Sequence, residues 1–162
     1  MYNHVVFWKL KGNKKEKKKL SKIVKHKLDT LPSHIPEIIK YIQQLIDNGF
    51  GYVTTSGVYY DVSKFENYLN LSGRSIEEVR TGTRVETEDD KHRAEDFALW
   101  KFSKLDEPSW KSPWGEGRPG WHIECSTMIS ETLGQTIDFH CGGIDLIFPH
   151  HENEIAQSKG VD

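Results

Sequence analysis

Residues 148–160 read FPHHENEIAQSKG, with two histidines, two acids and an asparagine in the five positions 150–154. Side chains of these types hold a metal, exchange protons, or coat the solvent face of a helix. On a helix His150 and Glu154 stand four apart and share one face. A neutral imidazole and a carboxylate at that spacing are zinc-type ligands, yet the pair alone is a weak signal, because most such pairs are surface contacts. Cys125 strengthens the metal reading, because thiolate is a preferred zinc donor and the chain has only one other cysteine, Cys141. A sulfur, a nitrogen and an oxygen donor leave one coordination position open for a substrate, as catalytic zinc sites do.

A second group sits just upstream in HCGGIDL, residues 140–146. Gly142 and Gly143 let backbone approach a ring or a phosphate, and Asp145 can accept hydrogen bonds from ribose hydroxyls. A tight turn that happens to hold an acid is the competing reading, since no GxGxxG pattern is present.

The rest of the chain must position these residues. A chain of 162 residues suits one domain, and 36% hydrophobic with 28% charged residues is a soluble globular composition. No run of about 18 apolar residues suggests a membrane span, and the N-terminus lacks the charge-first order of a secretion signal. Two cysteines are too few for a disulfide scaffold, so a reducing, cytoplasmic setting is expected. Charge is split along the chain. Residues 1–27 carry ten lysines against the single acid Glu16, whereas residues 28–162 carry 12 basic and 23 acidic residues. The head reads as a solvated, disordered tail or as a nonspecific nucleic-acid arm.

Residues 34–48 set Ile35, Ile38, Ile39, Ile42, Leu45 and Ile46 at helical spacing, with Ser33 as a cap, Pro36 in the first turn and Gly49 as the stop. YVTTSGVYYDV reads as two strands about a Thr-Ser-Gly turn, and SGRSIEEVRTG as a short capped helix ahead of a charged run, RVETEDDKHRAED. Residues 98–121 hold four of the five tryptophans and three of the six prolines, a density that predicts ordered loop rather than regular structure. WHIECSTMISETLG predicts a helix with Trp121, Cys125, Met128 and Ile129 on one face and Gly134 at its end. TIDFH reads as a strand, and HHENEIAQSKG as a closing helix with Pro149 near its start. Strand, glycine turn, helix is the order of parallel α/β nucleotide folds.

EPSWKSPWGEGRPGWHIECSTM followed by DFHCGGIDLIFPHHENEIAQS closely resembles the class I cysteinyl-tRNA synthetases. The similarity reaches back through DDKHRAEDFALWKFSK and FGYVTTSGVYYDV to the helix from His34, about four-fifths of the chain. The resemblance implies an α/β fold: part of a Rossmann-like class I catalytic domain with its inserted α+β subdomain. It divides the chain into a non-matching head over 1–33, an inserted region over 34–97, and a zinc and adenosine part over 98–162. It implies Cys125, His150 and Glu154 as zinc ligands, Trp121 as the pocket residue beside substrate cysteine, and His140, Gly142, Gly143 and Asp145 in the adenosine-binding loop. In that family zinc takes the thiolate of substrate cysteine directly, and a serine hydroxyl is a much poorer ligand. His150 and Glu154 should then point inward and Ile155 should continue the packed face, with Glu152 and Asn153 facing elsewhere. His151 reads as a pocket neighbour and not as a ligand.

The implied reaction is ATP-dependent activation of cysteine, with magnesium, and transfer to tRNA(Cys). The related cysteine ligase of mycothiol biosynthesis is the rival enzyme, and a non-catalytic zinc or tRNA-binding module is the rival of another class. The signatures HIGH and KMSKS do not occur in the 162 residues, and residues 1–33 hold no cysteine to serve as the family's fourth ligand. Catalytic residues therefore stay unassigned, and the chain reads as an internal piece of a longer enzyme. Position 141 is cysteine where the family usually has glycine.

Overall fold

The computed structural model describes residues 34–82, 90–104 and 107–162. The lysine-rich head, Ser33 and the first part of the charged run lie outside them. The first described element is α1, Ile35–Asp47, which carries Pro36 in its opening turn. Its stripe buries Ile35, Ile38, Tyr41, Ile42 and Leu45, and a helix of this kind is held by that packed face. Gly49 follows at φ +80°, a conformation that an L side chain resists. The turn there is tied to the far end of the chain, where Asn48 Nδ2 donates to the Gly160 carbonyl at 2.9 Å.

The expected hairpin forms. Strand β1 (Gly51–Val53) pairs antiparallel with β2 (Gly57–Tyr60), placing Val53 opposite Val58. Residues 98–121 depart from the loop expectation. They contribute most of a six-residue strand, β3 (Phe97–Phe102), and a short edge strand, β4 (Gly117–Pro119), and the sheet runs β1-β2-β3-β4, antiparallel throughout. The prolines that argued for loop fall outside β3, and Pro119 lies on an edge strand, where one side of the backbone needs no ladder partner. Gly57 is dictated by this pairing: a Cβ there would lie 2.2 Å from the Trp100 carbonyl oxygen.

Between β2 and β3 lies α2 (Ile76–Gly82). Its start is a reciprocal cap, with Ser75 N donating to Glu78 Oε2 and Glu78 N donating to Ser75 Oγ. Two further helices cover the sheet and α1: α3 (Trp121–Leu133), ended by Gly134 at φ +91°, and α4 (Glu152–Val161). One core joins them, with Ile38, Ile42, Leu45, Val58, Tyr60, Leu99, Trp100, Ile123 and Ala156 all fully or nearly fully buried. The result is a mixed assembly of helices on a small antiparallel sheet.

Two local expectations are corrected. TIDFH, residues 136–140, is not a strand: no described strand runs beside it to take up its backbone groups, and Phe139 is 88% exposed. Helix α4 also packs differently from the expected pattern. Ile155 is 39% exposed, while Glu152 and Asn153 are 1% and 2% exposed. The polar pair is buried because the 65–72 loop covers it. Glu152 accepts from Leu69 N at 3.0 Å and Ser72 N at 2.8 Å, and Asn153 Oδ1 accepts from Tyr68 OH at 2.6 Å.

Candidate metal centre

Helices α3 and α4 meet at their N-terminal ends, and the candidate ligands lie there. Cys125 stands one turn into α3, His150 in the turn over Ile147–His151 that leads into α4, and Glu154 in the first turn of α4. The junction is fixed from two sides. Tyr60 OH donates to the Ala156 carbonyl at 2.8 Å, and Ser126 Oγ donates to Gln157 Oε1 at 2.5 Å.

The donor atoms of Cys125, His150 and Glu154 all lie within 4.8 Å of one another. His150 is fully buried, and its Nε2 sits 3.3 Å from Glu154 Oε1 without making a hydrogen bond. A buried ring nitrogen left this way costs roughly 1–3 kcal/mol unless something else occupies its lone pair or proton. The spacing His-x-x-x-Glu therefore describes a real convergence, and Cys125 joins it from a different helix.

Burial raises the Cys125 thiol far above its ordinary range, and the carboxylates of Glu154 and Glu124 add to that. Burial also raises Glu124, to about 7. Glu154 goes the other way. Burial alone would raise it, but contacts with His140 and His150, then His151, hold the carboxyl far below the usual range. The centre thus keeps an anionic carboxylate beside a protonated thiol, an arrangement that a divalent cation would convert to two anionic donors.

Trp121 stacks on the His150 ring, centroids 4.5 Å apart and planes at 26°, and is itself 49% exposed. It forms a wall between the donors and the surface. His140 also reaches the centre, with Nε2 3.1 Å from Glu154 Oε2, and this contact raises its pKa against the effect of burial. Gly142 lies against His151, where an added Cβ would be 2.1 Å from Nε2. In the described structure its lack of a side chain makes room for an imidazole. Gly143 opens the short 3-10 turn Ile144–Leu146, accepting from Leu146 N at 2.9 Å, and Asp145 is exposed on that turn.

Two further histidines complete the centre: His122, which sequence spacing did not single out, and His151, which it read as a pocket neighbour. His122 Nδ1 is 2.8 Å from His150 Nδ1, and His151 Nδ1 is 2.9 Å from Glu154 Oε2. Burial, with His150 beside it, pulls the His122 pKa down to about 3 and keeps that ring neutral. The only sequence hint of His122 was its place next to Trp121, one turn ahead of Cys125.

Comparison with known proteins bears on the whole arrangement. A family model described as the tRNA synthetases class I (C) catalytic domain matches residues 9–162, beginning inside the lysine-rich head. Among curated relatives, "Cysteine--tRNA ligase" of Geobacter sp. (strain M21) is 59% identical over 128 residues, covering 79% of this chain and 27% of that protein. The protein of that name from Methanococcus maripaludis (strain C7) is 61% identical over 125 residues, 77% of this chain and 26% of its own length. That of Aquifex aeolicus (strain VF5) is 57% identical over 128 residues, with coverage of 79% and 26%. The chain spans about a quarter of the length of these relatives. With its match running over nearly all 162 residues, the chain belongs to the class I (C) tRNA synthetase catalytic-domain family.

Proposed function

We propose that this chain carries the cysteine-selecting part of a cysteine–tRNA ligase, with zinc at Cys125, His150 and Glu154. The observation that carries the reading is the convergence of sulfur, nitrogen and oxygen donors within 4.8 Å, with His150 Nε2 buried and making no hydrogen bond. That donor set fits zinc, which takes Cys, His and carboxylate ligands and keeps a position open when three come from protein. Bound there, zinc would supply a Lewis acid that prefers a thiolate to a hydroxyl, so cysteine is separated from serine by ligand chemistry rather than by pocket volume.

The chain's own residues do the positioning. For His150 Nε2 to present its lone pair, Nδ1 must carry the proton and donate to His122 Nδ1. His122 is then protonated on Nε2 and fixes both the ring and its tautomer, as partners of metal-bound histidines do. Trp121 limits the space beside the donors and shields them from water. In this reading residues 140–145 belong to the adenosine-binding loop, residues 98–162 to a Rossmann-like nucleotide fold, and residues 34–97 to its insertion. ATP with magnesium, cysteine and tRNA(Cys) are the substrates of the whole enzyme, and its setting is cytoplasmic. Among the described residues no helix is long and apolar enough to cross a membrane.

Elemental analysis after dialysis tests the proposal. About one zinc per chain is expected, held roughly tenfold more tightly with added cysteine and unaffected by serine. Cys125→Ser should lose most of it, because a neutral hydroxyl is a poor donor. Full retention of zinc by Cys125→Ser would overturn the ligand assignment. The 162-residue chain by itself is expected to give no cysteine-dependent ATP–pyrophosphate exchange, since neither HIGH nor KMSKS occurs in it to stabilise the charge that develops at the α-phosphorus.

A further inference from the structure

The geometry points to a second divalent-metal position, built from His140 Nε2, His151 Nδ1 and Glu154 Oε2, on the Oε2 side of the carboxylate, whereas His150 lies on the Oε1 side. Glu154 divides its two oxygens between two donor sets. Oε1 faces His150 Nε2 at 3.3 Å, whereas Oε2 faces His140 Nε2 at 3.1 Å and His151 Nδ1 at 2.9 Å. The three atoms of the second set lie within 4.8 Å of one another, as those of the first set do.

Two imidazoles and one carboxylate form a donor set known from open catalytic metal sites, and lacking sulfur it suits borderline cations such as zinc, cobalt and nickel. The aim of His151 is fixed by packing. Its Nε2 side fills the space that a side chain at Gly142 would need, and that nitrogen is buried without a hydrogen-bond partner. The ring therefore cannot swing toward position 142, and Nδ1 stays directed at Glu154. A cation taking His151 Nδ1 and His140 Nε2 leaves the other nitrogen of each ring to carry its proton. Entry from solvent is open, because the His140 side chain is 28% exposed while those of His151 and Glu154 are 11% and 4% exposed.

The two positions are not equivalent. The first offers a thiolate as well as the shared carboxylate, the second only the carboxylate. Two dications sharing one carboxylate also repel, so the second should bind roughly tenfold or more weakly. When filled, it ties the segment carrying His140 to α4. The position shares Glu154 with the zinc site proposed above but needs neither Cys125 nor His150.

Cobalt(II) separates the two by colour. Titration of the untagged, metal-stripped full chain should show a first equivalent with a thiolate-to-cobalt charge-transfer band. A weaker second equivalent should add ligand-field absorption and no charge transfer. His140→Ala, at a partly exposed position, should abolish the second equivalent while the charge-transfer band of the first persists. Cys125→Ser should remove the charge-transfer band and keep an equivalent of nitrogen–oxygen type. A single equivalent in the unsubstituted chain overturns the second position. So does a second equivalent that persists unchanged in both His140→Ala and His151→Ala, or a charge-transfer band that disappears with His140→Ala. Failure of the zinc reading looks different: no charge-transfer band would appear in the unsubstituted chain at all.

Discussion

Among the described residues, the acids buried beside the hairpin and the donor cluster where α3 meets α4 are treated in opposite ways. Beside the hairpin, each buried acid has its donors. Asp96 accepts from Tyr52 OH at 2.7 Å and from the backbone of Val62 and Arg93 at 3.1 Å each. Asp61 takes Arg93 Nη1 at 2.9 Å and both Ser63 N and Oγ, and Glu95 is gripped by two nitrogens of Arg80. Where α3 meets α4, Thr127 Oγ1, His150 Nε2, His151 Nε2 and Gln157 Nε2 are buried and make no hydrogen bond. A saturated network rigidifies the fold, while buried polar atoms left unsatisfied around the converging donors of Cys125, His150 and Glu154 are shaped for something that comes from outside. Burial of charge therefore does not mark a site by itself. Several unsatisfied atoms gathered around converging donors do.

The largest effect separating the regions should come from Asp96→Ala. It leaves the Tyr52 hydroxyl and two backbone N–H groups without their acceptor, so a loss of about 3 kcal/mol is expected in urea unfolding. Zinc affinity of the folded fraction should change little. If affinity falls as far as stability does, the two regions are not separable.

A smaller, opposite effect is expected at the metal centre. His122→Phe removes the partner of His150 Nδ1 while keeping an aromatic ring in the space between Phe97 and Trp121. Zinc affinity should fall roughly tenfold, and unfolding stability by only about 1 kcal/mol, less than in Asp96→Ala because one buried hydrogen bond is lost rather than three. A stability loss as large as that of Asp96→Ala, with zinc affinity unchanged, would make His122 a structural residue like Asp96.

The smallest effect is in pH. Hydrogen bonds from Thr55, then Ser56, to Asp90 outweigh the penalty of burial and lower the Asp90 carboxyl to about 2. A carboxyl depressed in the folded state stabilises above its unfolded value near 4, and that contribution fades as pH falls toward about 2. Amide-exchange protection at Ser56 should therefore persist through pH 4 and decline only below about 3. In Asp90→Asn that acid-dependent decline should vanish. Protection lost already at pH 4 would show that the turn is not held by Asp90.

Much of the local structure was legible in the residues. The α1 stripe with Gly49 behind it, the Thr-Ser-Gly hairpin turn, Gly134 ending α3, and the shared face of His150 and Glu154 all follow from helical periodicity or glycine conformation, which act over a few residues. The family likeness was legible for the same reason, as contiguous motifs. Strand β3 was hidden because its proline- and glycine-rich surroundings outweighed FALWKF in a single window. Its stability comes from pairing with β2 and β4, which no window contains.

Sequence by itself determined that the chain holds a His–Glu pair one helical turn apart and a thiol on another helix. Only the tertiary structure decided that Cys125 meets that pair and that His122 backs His150. It also decided that Glu152 and Asn153 are buried while Ile155 is not. The reason is physical. The 3.6-residue repeat fixes which side chains share a face, but which face is buried depends on the elements that cover it. For α4 those are α1 and α3 on one side and the 65–72 loop on the other, each brought there by contacts distant in sequence.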